Sequence, residues 1–70
     1  MGLFLILVAM EEKIFGIIKG AGDDGCTITE IVKTSKLPRS VVRILLARLE
    51  DAQKISFRKV GMSKIYRVVG

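Results

Sequence analysis

Three side chains on one short stretch set the chemical question. Arg39, Ser40 and Arg43 stand at i, i+1 and i+4, a spacing that gathers them on one side of a helix. A guanidinium is a planar fork of donors that matches phosphate oxygens and the guanine edge. Lys36 lies just ahead of them, and Arg58, Lys59 and Lys64 follow later in the chain. All of these groups bind anions, and none of them by itself breaks a bond.

Residue types suited to catalysis are scarce. The chain has no histidine and a single cysteine, Cys26, so it can build neither an intrachain disulfide nor a Cys/His metal cluster. Gly20, Gly22 and Gly25 are followed by no Gly-Lys-Ser/Thr, which a phosphate loop requires. No carboxylate pair flanks a nucleophile. The chain reads as a non-enzyme that needs no cofactor or metal. Cys26 reads as a small buried apolar residue, since no imidazole is present to activate it. A lone thiol fits a reducing, cytoplasmic setting.

The distribution of charge is more telling than the net +5. Residues 1–30 carry two lysines against five carboxylates, and residues 31–70 carry ten basic side chains against two carboxylates, so the halves stand at −3 and +8. A basic half on a small chain points to an anionic polymer as partner.

These groups need a scaffold. Seventy residues make one small domain, which buries about 60% of its unfolded surface. Half of the residues are apolar, enough for a core and for a partner interface. Val42, Leu45, Leu46 and Leu49 fall at i, i+3, i+4 and i+7, the buried stripe of a helix over 38–52 whose outer stripe holds Arg39, Ser40, Arg43 and Ala47. Pro38 suits its first turn. Arg48, close to Glu50 and Asp51 in sequence, reads as an ion-pair partner. Upstream, Glu30–Lys33 starts another helix. Thr29 can cap it, or Thr27 can do so through a box with Glu30. Thr34-Ser35-Lys36 then forms a polar turn between the two helices. Residues 11–20 read as a first helix with Ile14, Phe15, Ile17 and Ile18 inward and its early acids at the positive end of the dipole. Gly20–Gly25 breaks it, and Cys26-Thr27-Ile28 reads as a very short strand.

Beyond Gln53 the period changes to two. Residues 55–60 and 64–69 alternate about a Gly61-Met62-Ser63 turn, a basic hairpin. Arg58, Lys59 and Lys64 on it either contact phosphate or blunt an exposed edge. Tyr66 reads as a core residue, because single-strand binding uses several stacked aromatics.

The run from Thr29 through Ile31-Val32, Leu37-Pro38-Arg39-Ser40-Val41-Val42-Arg43, Leu46, Leu49-Glu50 and Ile55 resembles the winged helix-turn-helix family of DNA-binding proteins, over about residues 12–69. The resemblance implies an α+β, mainly α fold: three helices with a C-terminal two-stranded hairpin wing. It also implies a transcriptional regulator that binds double-stranded DNA. Its recognition helix would enter the major groove with Lys36, Arg39, Ser40 and Arg43, and its wing, over 55–69, would reach phosphates through Arg58, Lys59 and Lys64. Three positions depart from the family pattern. Val41 and Ile44 are apolar beside the reading face, suiting thymine methyls or a protein partner. Gln53 stands where a helix-ending glycine is common. The reading face carries no amide or carboxylate side chain ahead of Gln53. Winged helices also serve as protein-interaction modules in larger assemblies, which is the alternative reading.

Residues 2–10 are an unbroken apolar run, too short to span a bilayer and without the basic start of a signal peptide. The run reads as an extension of the first helix or as an edge strand, or else Met10 is the true start. The chain thus divides into an apolar extension at 1–10 and a domain at 11–70. Leu3, Phe4, Ile6 and Leu7 are the expected dimerisation residues. The expected partners are duplex DNA and a second copy, with no membrane and no small-molecule ligand.

Overall fold

A computed structural model describes residues 2–69; Met1 and Gly70, the outer limits of the two segments above, lie outside the described residues. Helix α1 spans Gly2–Gly20, strand β1 Cys26–Thr27, helix α2 Ile28–Ser35, helix α3 Arg39–Asp51, strand β2 Ile55–Val60 and strand β3 Ser63–Val68. A single 3-10 turn, Gly22–Asp24, fills the break after α1. The strands form one antiparallel sheet in the order β1-β3-β2. The fold is therefore α+β and mainly helical, with three helices and a C-terminal hairpin in the winged helix-turn-helix arrangement.

The core forms where the helical and strand periodicities meet. Val42, Leu45, Leu46 and Leu49, the inward stripe of α3, are all buried, as are Ile14 and Ile18 of α1, Ile31 of α2, and Cys26, Ile55 and Tyr66 of the sheet. Ile14 and Ile18 are one helical turn apart and so share a face. Burial pushes the Cys26 thiol above its ordinary range, and the Glu30 carboxylate adds to that. Cys26 therefore sits in the core as an apolar residue, as its lack of an activating neighbour implied.

Several boundaries differ from the sequence reading. The apolar run is helical rather than an edge strand, and α1 passes through residue 10 without a break. Glu11 and Glu12 consequently lie mid-helix, and the first turn has no acid; the expected dipole role for them is wrong. The cap of α2 is Thr27, not Thr29. The Thr27 Oγ1 accepts from the Glu30 backbone N–H at 3.3 Å, and Glu30 Oε1 accepts from the Thr27 N–H at 3.2 Å. That reciprocal box satisfies two free donors at once, so Ile28 joins the helix. At the other end Thr34 and Ser35 are helical. Ser35 is buried, and its hydroxyl accepts from the Leu37 N–H at 3.2 Å. Only Lys36-Leu37-Pro38 connects α2 to α3. Lys36 supplies the left-handed residue that ends α2 (φ 61°), and Pro38 precedes the first turn of α3, its carbonyl accepting from the Val42 N–H at 3.0 Å.

Among the described residues, Gly25 is the one glycine whose surroundings leave no room for a side chain. Its φ is +72°, and a Cβ would lie 2.6 Å from both Ile65 Cγ2 and the Tyr66 carbonyl oxygen. This close approach lets β1 pair with β3 directly after the turn.

At the end of α3, Gln53 takes the left-handed conformation (φ 59°), at a position where helices commonly end on glycine. The Lys54 N–H donates to the Leu49 carbonyl and the Gln53 N–H to the Glu50 carbonyl, at 3.0 and 2.9 Å. These two bonds are the Schellman pair, so the cap geometry is retained with a residue that is strained in it. Gln53→Gly is expected to stabilise the fold by about 1 kcal/mol, read as a rise in melting temperature of about 4–8 °C. An unchanged or lower melting temperature would contradict this assignment.

Candidate nucleic-acid interface

The register of the hairpin decides which basic groups can act together. β2 and β3 pair Ile55 with Val68, Phe57 with Tyr66, Arg58 with Ile65 and Lys59 with Lys64. A two-residue turn, Gly61-Met62, joins them, with φ +62° at Gly61 only, the pattern of a type II′ turn. Successive residues alternate between sheet faces. Ile55, Phe57 and Lys59 therefore share one face with Lys64, Tyr66 and Val68. Ser56 and Arg58 share the other with Ile65 and Arg67.

On the first of these faces, α3, the start of α2 and the hairpin tip enclose a groove of about 660 Å³. Arg39, Arg43, Lys64, Ser63 and Met62 line its rim, and Leu46, Tyr66 and Glu50 line its inner wall. Arg39 and Arg43 are exposed. The Arg39 Nη2 donates to Thr29 Oγ1 at 3.3 Å, which steers that guanidinium toward the α2 start. Burial pushes the Tyr66 hydroxyl above its ordinary range, the Glu50 carboxylate pushes the same way, and the Arg43 guanidinium opposes them. The three groups thus sense one another across the groove.

Lys59 and Lys64 stand directly opposite each other near the hairpin tip. Like charges so placed destabilise a strand pair. Lys64 Nζ lies 4.5 Å from the centre of the Phe57 ring, and that ring tilts against Tyr66 at a centroid distance of 5.9 Å. A cation over a ring face gains some attraction; among the described residues Lys64 alone has such a ring partner, and a bound anion would relieve its repulsion with Lys59.

The expected site residues separate accordingly. Arg39, Arg43 and Lys64 come together around the groove. Ser40, exposed on α3, and Lys36, exposed on the inter-helix turn, lie beside the groove but do not line it. Lys59 stands at the tip on the same sheet face. Arg58 does not belong with them. It lies on the opposite sheet face, around a small pocket of about 90 Å³ with Asp23, Ser56, Ile65 and Arg67. Strand alternation explains this: adjacent Arg58 and Lys59 must point to opposite sides. On the edge strand β2, Arg58 suits edge protection. Arg48 does form an ion pair, but with Glu11 of α1 rather than with its sequence neighbours, because α1 packs across α3. Glu50 went unnoticed in the sequence as a groove residue; its spacing from Arg43 and Leu46, seven and four residues, placed it on their side of the helix.

Leu3, Phe4 and Ile6 are exposed, whereas Leu7 is half-buried against the chain's own core. Ile44 is exposed on α3 and Val41 is half-buried. Among the described residues, no helix is long and apolar enough to cross a membrane.

No family model matches the chain, and no curated protein matches it. Among solved structures it is similar to the crystal structure of AF1382 from Archaeoglobus fulgidus, with a TM-score of 0.79 and 21% sequence identity over 99% of this chain and 78% of that one. At that identity the likeness is one of fold.

Proposed function

We propose that this chain binds double-stranded DNA as a winged helix-turn-helix regulator of transcription, with α3 in the major groove and the hairpin tip against the phosphate backbone. The observation that carries this reading is the gathering of Arg39, Arg43 and Lys64 around one open groove between α3 and the wing. Guanidinium and ammonium groups there neutralise phosphates and release counterions, which supplies affinity. The guanidinium fork of Arg39 or Arg43 can also take the O6 and N7 of a guanine, which supplies specificity. Glu50 on the inner wall repels phosphate and accepts from cytosine N4, so it favours a base edge over backbone at that depth. The three-residue Lys36-Leu37-Pro38 connection lets α2 cross the backbone while α3 lies in the groove. The test is a titration of labelled duplex with the protein across a salt series. Affinity that falls with salt supports the reading, and absence of duplex binding at low salt defeats it in favour of a protein-docking role for the same face.

A further inference from the structure

Three side chains of α3 face outward beside the groove without lining it. Ser40, Ile44 and Ala47 stand at i, i+4 and i+7 and are all exposed. They follow the line opposite the buried stripe of Val42, Leu45, Leu46 and Leu49. Ile44 is 58% exposed. Val41, the other apolar residue beside the reading face, packs against the core, so the fold accounts for it. Ile44 gains no such burial, and its helix propensity is below that of alanine or arginine.

We propose that Ile44 reads the C5-methyl group of a thymine in the major groove. This deepens the DNA reading above and rests on it. Ser40 and Ala47 are small, so the helix can settle close to base edges along this line, with Ile44 projecting furthest between them. Arg43 precedes Ile44, and Arg39 lies one turn before Arg43. Arg48, one turn beyond Ile44, is held by Glu11. The acids Glu50 and Asp51 close the helix about two turns further on. The charge nearest Ile44 is therefore positive and selects an anionic partner. Every base edge in the major groove presents donors or acceptors, and thymine alone adds an apolar group. An isoleucine pressed on a polar edge would strip it of water and give it no partner. Against a thymine methyl it removes apolar surface from water instead. A site read by Arg43 and Ile44 together thus holds a thymine close to a guanine.

The test deletes that methyl and nothing else. A duplex enriched from a random library by the wild-type chain is remade with each thymine in turn replaced by deoxyuridine, and affinities are read by fluorescence anisotropy. The wild type is expected to lose affinity by about fourfold at one of these positions. Ile44→Ser is expected to bind the parent duplex more weakly by a similar factor and to lose nothing further at that position. Serine matches isoleucine in helix propensity and the site is exposed, so the variant should keep its helical spectrum. Duplex binding indifferent to every replacement would overturn the assignment, leave the DNA reading standing and turn Ile44 over to a protein partner. An equal loss in Ile44→Ser and the wild type would also overturn it, since another side chain would then meet the methyl. Absence of duplex binding at low salt would overturn both readings together.

Discussion

Replacing Arg39 and Arg43 together by alanine is expected to weaken binding to duplex DNA by about a hundredfold or more, on the basis of about 1–3 kcal/mol for each well-placed arginine contact. Both side chains are exposed, so the fold loses little beyond the Arg39 bond to Thr29 Oγ1. The variant should keep its helical spectrum and its melting temperature within a few degrees. Arg58→Ala with Arg67→Ala removes the same charge from the opposite sheet face, around Asp23 and Ser56. That pair should cost less than about threefold, a long-range electrostatic loss alone. The comparison separates a site from a diffuse charge. Equal losses in the two double variants would mean that net charge, not the groove, holds the DNA. Fluorescence anisotropy at one fixed salt concentration gives both numbers.

The second large effect is on stability. Leu45 is fully buried while its neighbour Ile44 is 58% exposed, so adjacent positions on α3 should respond very differently to truncation. Leu45→Ala removes packed methyl groups and leaves a cavity, a loss of about 2–5 kcal/mol. A chain of this size has a total stability of about 4–10 kcal/mol, and the melting temperature should fall by roughly 10–30 °C. Ile44→Ala should change stability by less than about 0.5 kcal/mol. Thermal denaturation followed at a helical wavelength decides it. If Ile44→Ala proved the more damaging, α3 would be rotated from the orientation that directs Arg39 and Arg43 outward.

The sequence conveyed α3 well because one pattern specified both of its faces. The Val42–Leu49 stripe determined which side is buried, and the arginines necessarily fell on the other. The hairpin was visible for a similar reason: a change of period about a glycine turn. Placement of charges on the wing was less visible. Basic residues adjacent in sequence look like one cluster, yet strand alternation sends Arg58 and Lys59 to opposite faces, and only the register of β2 against β3 shows which of them meets α3. The start of α2 was ambiguous because Thr27 and Thr29 both suit a cap. The reciprocal reach of Glu30 settled it, and that depends on side-chain geometry. The partner of Arg48 was illegible for a different reason. Glu11 lies thirty-seven positions away, and no local pattern foretells which helix crosses which. The fate of the apolar run was likewise open, since its all-apolar composition has no period to read.

The most direct test of the DNA reading is the salt dependence of duplex binding by the wild-type chain. Arg39, Arg43, Lys59 and Lys64 together would neutralise about four phosphates per chain, so the logarithm of affinity should fall against the logarithm of salt with a slope of about −3 to −4. A slope in that range supports contact between the groove and the backbone of DNA. A flat dependence, or no binding at low salt, would contradict it and assign the exposed face of α3 to a protein partner.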